Sequence, residues 1–378
     1  MGKRSFVVGS VIAGLVLIPT IAYACGGLVA PNGAVNLVRT TTLAAYHDGI
    51  EHYITAFEFS GLGGAKFGSI VPLPGEPRSV KRAGDWTLQR LLQEVQPPIP
   101  AAFAGAALAS DAATSARVVL RTKVDSLDIT VVEGGADGVA RWATGEGFRL
   151  SPDAPEVLEF YAQRSRFFMA VSFDAARAQR RGQVAGDSVP VHITIPTERP
   201  WVPLRILSLG RQPLEPVEAD IFLLTDRAPA LLPAPVGAGS AAGLPVARGL
   251  FVERSQRASA TLTTDLRSDR GMGWMPERPM WLTYLRLSAQ ARTLGYDLAI
   301  DPTGRGRPSW RAAGFPRGIF GPARNPLIGP RVERVTETLT QTVPVAGPER
   351  VDRSGWFTTS ALLALSTALA IRRRIIRA

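Results

Sequence analysis

Residues 41–59 read Thr-Thr-Leu-Ala-Ala-Tyr-His-Asp-Gly-Ile-Glu-His-Tyr-Ile-Thr-Ala-Phe-Glu-Phe. β-Branched and aromatic residues fill both flanks. Between them stands Asp48-Gly49, a dipeptide that readily takes the positive φ angles of a two-residue hairpin turn. The stretch therefore predicts a β-hairpin in which His47 pairs with Ile50 and Ala45 with His52. That register puts His47 and His52 on one face as diagonal neighbours, about 7–8 Å apart at Cα, with Glu58 further along the same face. Two imidazoles so placed are a weak candidate for metal ligation, because a site needs a third donor and the chain has only three histidines. Sequence gives no position for the last of them, His192.

Outward from the hairpin, short runs continue the β pattern: Ser69 to Pro74, Arg117 to Val132, Phe167 to Phe173, Val189 to Pro196, Ile221 to Thr225 and Met280 to Ser288. Leu88, Leu91, Leu92 and Val95 recur at helical spacing and stop at Pro97-Pro98, which predicts a helix over Asp85 to Val95. Val139 to Phe148 and Pro155 to Arg164 read as two more short helices. Pro97 to Ala116 and Ala228 to Ala247 are Ala/Pro-rich and read as a loose loop and a linker. Asp301 to Pro330 is rich in Arg, Gly and Pro, and Val332 to Val343 is rich in Thr and Val. No fixed-period repeat emerges. The fold class expected is α+β, a largely antiparallel β-sheet body with a few short helices, plus one C-terminal transmembrane helix.

The two ends carry the localisation signals. Lys3-Arg4, an apolar run from Phe6 to Ile21 and Ala22-Tyr23-Ala24 form the basic, apolar and small-residue parts of a secretory signal peptide over residues 1–24. Cys25 then becomes the first mature residue and a candidate lipidation site, although Ala22 and Tyr23 depart from the lipoprotein pattern. Residues 355–371 carry no charge and would span about 25 Å as a helix, at the short end of what crosses a hydrocarbon core. Trp356 and Phe357 sit where aromatic anchors sit, and Arg372, Arg373 and Arg374 form a stop. The organisation expected is a signal peptide over 1–24, a body over 25–227, a linker over 228–247, a second β-rich part of the body over 248–343, a stalk over 344–354, a membrane helix over 355–371 and a cytoplasmic Arg-rich tail over 372–378. The body then lies outside the cell membrane, which it spans once.

Composition narrows the function. The 378 residues suffice for a sizeable core, and the single cysteine excludes an intrachain disulfide and any cysteine-based zinc, haem or iron–sulfur motif. The formal charge of +11 shrinks to an excess of about five once the basic residues of the two ends are set aside. That balance does not announce nucleic-acid binding, and it suits anionic lipid headgroups or wall polymers. No Gly-x-Ser-x-Gly elbow occurs. Gly237 to Gly243 resembles a phosphate loop but has no Lys, no preceding strand and no following helix. The acid pairs Asp125/Asp128, Glu156/Glu159 and Asp265/Asp269 read as solvated surface, since spacing within one segment does not set two carboxylates across a cleft. Trp274, Trp281, Tyr284 and Arg286 form an aromatic and basic cluster that reads first as core and otherwise as a binding face.

Cys25-Gly26-Gly27 after a signal peptide, the hairpin ending in Phe57-Glu58-Phe59-Ser60-Gly61, Phe67 to Pro74, and Arg199-Pro200-Trp201-Val202-Pro203-Leu204-Arg205 together resemble the bacterial proteins grouped as domain of unknown function 2330, over about residues 25 to 290. This chain has Phe67-Gly68-Ser69 where the family typically has Phe-Ala-Trp, which marks it as divergent. The resemblance implies an exported or membrane-anchored protein and brings no catalytic residues with it. The function expected is a non-catalytic binding or assembly module on the outer face of the membrane, with no cofactor. An extracytoplasmic hydrolase-like enzyme with a site assembled from distant acids, and an accessory subunit of a membrane complex, are the alternatives. The partners expected are the membrane and an envelope protein or wall polymer, not nucleic acid.

Overall fold

The computed structural model describes residues 27–29, 39–58, 67–95, 118–183, 188–238 and 244–315. All lie within one compact unit, Met1–Gly329; the second unit, Pro330–Ala378, lies outside them. The largest sheet has eight strands. Its order is Ala234–Val236 (β13), Val246–Arg257 (β14), Trp281–Gln290 (β15), Pro216–Thr225 (β11), Arg39–His47 (β2), Ile50–Glu58 (β3), Ser188–Pro196 (β9) and Ser79–Arg82 (β5). Five strands form a second sheet in the order Gly27–Val29 (β1), Phe67–Pro72 (β4), Phe167–Phe173 (β8), Leu127–Glu133 (β7) and Val118–Val124 (β6). Trp201–Val202 (β10), Leu298–Asp301 (β16) and Ala230–Leu232 (β12) form a third. Pairing is antiparallel except for β2 with β11 and β13 with β14, so the body is α+β with largely antiparallel sheets.

The hairpin turns as its sequence dictates. Asp48 and Gly49 sit at φ 48° and 77°, the positive values that a type I′ turn requires, and His47 faces Ile50 while Ala45 faces His52. Alternation then sorts the strand residues between two cores. Leu43, Ala45, Ile54 and Ala56 face one side of the large sheet, where they meet Leu88 and Leu91 of the helix Thr87–Val95 (α1) and Leu262 and Leu266 of the helix Ala260–Ser268 (α5). Ala44, Tyr53, Ile193 and Ile221 face the other side and share a core with Ile70, Val131 and Phe168 of the five-stranded sheet. The helices Gly135–Gly145 (α2) and Ala154–Ala162 (α3) contribute Val139, Trp142, Val157 and Tyr161 to that same core. A short helix, Ala175–Arg180 (α4), follows β8.

Two expectations are corrected, and one helix is added. The stretch 228–247 is not a plain linker: Leu232 and Ala234 are buried, and β12 and β13 are paired on either side of Pro233. Ala/Pro-rich composition gave no strand signal there because these residues join by backbone pairing and burial. The helix expected at Val139 starts earlier, at Gly135, where Gly134 and Gly135 take positive φ. Phe148 lies past the helix end and packs on Trp142, ring centroids 5.5 Å apart. Helix α5, which the sequence pattern did not announce, is short and held by Ser259, whose hydroxyl accepts the Leu262 N–H at 3.0 Å.

Among the described residues, no helix is long and apolar enough to cross a membrane. The signal peptide, Cys25, the 97–116 loop, the 332–343 run, the stalk, the 355–371 helix with Trp356 and Phe357, and the tail with Arg372, Arg373 and Arg374 lie outside the described residues. So does the Glu58 side chain.

Candidate functional site

At one end of the large sheet, the β2–β3 turn, the segment after β9 and the chain leaving β16 meet around an open cleft of about 1080 Å³. Thr197 N–H donates to Gly49 O at 3.1 Å, and Tyr46, at the end of β2, donates its hydroxyl to Thr197 O at 3.0 Å. Ile300 N–H donates to Pro200 O at 3.0 Å. These bonds place Tyr46, Arg199, Arg305, Arg307, Trp310 and Arg311 around one space.

Asp301 builds the loop that carries two of those arginines. Its Oδ1 accepts the Thr303 N–H at 2.9 Å and the Thr303 hydroxyl at 2.6 Å, while its Oδ2 accepts the Arg307 N–H at 2.8 Å. Gly304 and Gly306 take positive φ, 68° and 71°, which lets the chain coil tightly around the carboxylate. Burial alone would raise the Asp301 pKa, but hydrogen bonds from the Thr303 hydroxyl and from neighbouring N–H groups outweigh it and hold the carboxyl below its usual range. Asp301 is thereby ionised and committed to its own loop. Arg311 gives Nη2 to Gln163 O at 2.9 Å. Among the described residues, no ion pair engages the guanidinium groups of Arg199, Arg305 or Arg307. By composition the 301–330 segment is only Arg/Gly/Pro-rich; the Asp-Pro-Thr-Gly-Arg-Gly-Arg spacing over residues 301–307 is the signal for a carboxylate-centred turn presenting arginines.

Behind Tyr46, directly across the strand pair, lies Glu51, fully buried. Neither of its carboxyl oxygens has a hydrogen-bond partner of normal geometry. Burial pushes its pKa up to about 8, against the opposing pull of the Trp201 backbone N–H. Tyr46 is raised in turn, by burial first and then by the charges of Glu51 and Glu198. Glu51 is closed off from the cleft and is not among the groups that line it.

The two sequence-selected histidines share a face but take different partners. His47 Nδ1 stands 3.1 Å from Asp226, which also pairs with Arg278 at 2.7 Å. His52 Nδ1 stands 3.0 Å from Nε2 of His192, and its ring stacks on Trp274 with centroids 3.7 Å apart and planes 10° from parallel. Strand β9 supplies this neighbour, since its pairing with β3 sets His52 opposite Thr194 and His192 opposite Ile54. Among the described residues, no group of three or more His, Cys, Asp or Glu is placed to hold a metal.

Trp274, Trp281, Tyr284 and Arg286 do not form one face. Tyr284 is buried, stacks on Phe222 and donates its hydroxyl to Asp220 Oδ1 at 2.7 Å. Trp281, an odd number of positions away on β15, points to the other side and donates Nε1 to Ser255 Oγ at 2.9 Å. Arg286 pairs with Glu253 at 2.7 Å. The acid pairs are also dispersed. Asp125 and Asp128 bind Arg82 and Arg177 at 3.0 and 2.7 Å, Asp265 binds Arg90 at 2.9 Å, and Asp269 is buried. Glu156 remains surface, 80% exposed beside Arg205.

No curated protein sequence matches the chain. Among solved structures, the crystal structure of baculovirus P35 aligns over 70% of this chain and 96% of its own at 8% identity, with a TM-score of 0.36, a likeness too slight to carry an argument. A family model does match, over residues 19–228, and so stops short of residue 290, to which the motif resemblance extended. With more than half of its length matched, the chain belongs to the family described as uncharacterized protein conserved in bacteria, domain of unknown function 2330.

Proposed function

We propose that the protein is a non-catalytic binding module, exported and tethered by residues 355–371, whose arginine-lined cleft takes an anionic polymer of the cell envelope. One observation carries this reading: Arg199, Arg305, Arg307 and Arg311 line a cleft of about 1080 Å³ beside Trp310, against two lining acids, Glu198 and Asp301, of which Asp301 is spent on its own loop. A volume of that order exceeds what one phosphate needs and suits a ligand with several anionic groups. Trp310 adds an apolar ring against which a sugar face can lie. An enzyme is the weaker reading. Glu51 has no exposure to the cleft and both Asp301 oxygens are occupied, which leaves Glu198 as the one carboxylate of the lining without a partner among the described residues, and a single such acid is no general acid–base pair. The complex-subunit reading gains little support either, because the large exposed apolar side chains among the described residues, Leu214 and Val236, sit on separate elements.

The test is calorimetric titration of the full-length protein with a glycerol-phosphate polymer, with a neutral glycan of similar length as control. The expected result is binding of the anionic polymer alone, weakened at least tenfold when salt rises from about 50 to 200 mM. The paired substitution Arg305→Ala and Arg307→Ala should weaken it by a similar factor. Equal affinity for the neutral glycan, or unchanged affinity in the paired variant, overturns the reading.

A further inference from the structure

On the opposite face of the large sheet from Tyr53, the core holds an unusual set of side chains. His52 and His192 are 6% and 8% exposed and meet nitrogen to nitrogen at 3.0 Å. The indole of Trp274 lies flat on His52 and tilts against His192 at 6.4 Å. Trp274 belongs to the turn Gly271-Met272-Gly273-Trp274-Met275, and three of the five methionines in the chain, Met272, Met275 and Met280, fall within nine residues there. All three are buried in the apolar cluster against which Trp274 packs. Gly271 brings this turn onto His192: a Cβ built at Gly271 would lie 3.9 Å from His192 Nδ1.

We propose that His52 and His192, with thioether donors from Met272 and Met275, form a binding site for a soft monovalent cation, Cu(I) or Ag(I), beneath the face of Trp274. Thioether and imidazole donors favour soft ions over Mg(II), Ca(II) or Mn(II). First-row metals hold imidazole nitrogens at about 2.0–2.1 Å, so two such nitrogens on a tetrahedral centre stand roughly 3.3 Å apart. The His52–His192 separation is within about 0.3 Å of that value. The Trp274 indole, stacked on the His52 ring, puts an aromatic face next to that donor. Lys81, which pairs opposite His192 across β5 and β9, places a positive charge nearby that weighs against a divalent ion more than a monovalent one. No carboxylate is needed, in keeping with the lack of a three-member His, Cys, Asp or Glu group among the described residues.

Entry of the cation conserves protons. In the metal-free pair one ring donates N–H to the lone pair of the other; that donor shifts its proton to its second nitrogen, and both rings bind as neutral imidazoles. Gly271 and Gly273 on the outer side of the turn are exposed, which sets the site one layer below solvent.

The test uses the full-length chain carrying Cys25→Ser, because a free thiol is itself a strong Ag(I) ligand. Ag(I) is titrated at pH 7 while tryptophan fluorescence and calorimetric heat are followed, with Zn(II) as a control. The expected result is one equivalent of Ag(I) bound, with quenching that Trp274→Phe abolishes. His192→Asn should weaken binding at least a hundredfold, and the pair Met272→Leu with Met275→Leu at least tenfold, while Zn(II) binds at least a hundredfold more weakly than Ag(I). Absence of Ag(I) binding in the Cys25→Ser chain overturns the proposal, as does affinity unchanged in the methionine pair. If His192→Asn does not fold, the Trp274→Phe and methionine variants decide.

Discussion

Asp269 caps a helix that begins 182 residues earlier in the chain: its Oδ2 accepts the hydroxyl of Thr87 at 2.6 Å. The same carboxylate accepts the N–H groups of Asp85 and Trp86, each at 3.1 Å. Three donors at the start of α1 are thus satisfied by a residue of the segment following α5, which locks the two helices together over the sheet.

Asp269→Ala leaves those donors without that partner, the Thr87 hydroxyl at a buried site and the two N–H groups at part-buried ones. We expect a loss of about 2–3 kcal/mol, above the usual single-cap value because three bonds go at once. Gly84→Ala should be as damaging, since its Cβ would run into the Asp269 carboxylate. Urea unfolding should show lower midpoints with unchanged slopes for both; a Gly84→Ala midpoint equal to wild type would mean that the helix start is free to shift.

A second buried carboxylate ties the small sheet to α3. Asp297 accepts the Tyr161 hydroxyl at 2.8 Å, the Leu204 N–H at 2.7 Å and Arg164 Nη2 at 2.6 Å. Arg164 also lies over the rings of Phe160 and Trp201. Removing the cation alone strands a fully enclosed charge, so Arg164→Ala is expected to cost about 3–5 kcal/mol. Arg164→Ala with Asp297→Asn should recover part of that loss. A double variant as unstable as the sum of the two singles refutes direct coupling.

How much of this was legible depends on the range of the interaction. The hairpin at Asp48-Gly49 could be read because two adjacent residues fix their own φ, and the Leu88, Leu91, Leu92 spacing announced α1 for a similar local reason. His192 was a residue without a position until β9 paired with β3, 140 residues from His52. The parallel joining of β2 to β11 was hidden likewise, because nothing in either strand names its neighbour. In the cleft, Asp301 and the glycines at 304 and 306 stood in plain view, but an Arg/Gly/Pro-rich stretch looks the same whether its carboxylate turns inward to N–H groups or outward to water. The dispersal of Trp281 and Tyr284 follows from alternation, which sequence gave correctly for β15 without saying which side was covered.

Glu51 and the histidine pair give stability opposite pH dependences. Glu51 rises from 4.5 to about 8 on folding, so the folded state holds the proton more tightly; its contribution is complete below about pH 4.5 and is lost as pH climbs through 8. His52 and His192 fall from 6.5 to about 3 and about 4, so the unfolded chain takes protons first. Their contribution is complete above about pH 6.5 and is lost on descent through 4 and 3. Each group sets a slope of up to about 1.4 kcal/mol per pH unit within its window. Glu51→Gln should therefore flatten the decline between pH 5 and 8 and leave the acid limb in place, as read from urea midpoints across that range. Parallel profiles for variant and wild type would show that Glu51 is not protonated in the folded state.

The tether proposed for residues 355–371 makes a prediction about sidedness that is independent of any ligand. Arginine heads at 372, 373, 374 and 377 resist transfer through hydrocarbon, and in the proposed topology the positive-inside bias would hold them in the cytoplasm. Protease added to sealed cells should then degrade the folded body while sparing an epitope placed after Ala378, and permeabilisation should expose that epitope. Replacing Arg372, Arg373 and Arg374 with Glu weakens the bias, and a fraction of chains should then lose the protection of the tail. With only 17 uncharged residues in the span, lengthening the run by four leucines should not change the orientation but should resist extraction more firmly, since about 6 Å of added apolar helix better matches the hydrocarbon thickness. A body protected from protease in intact cells, with the tail cleaved, inverts the topology and removes the outer face of the membrane as the place where the arginine cleft works.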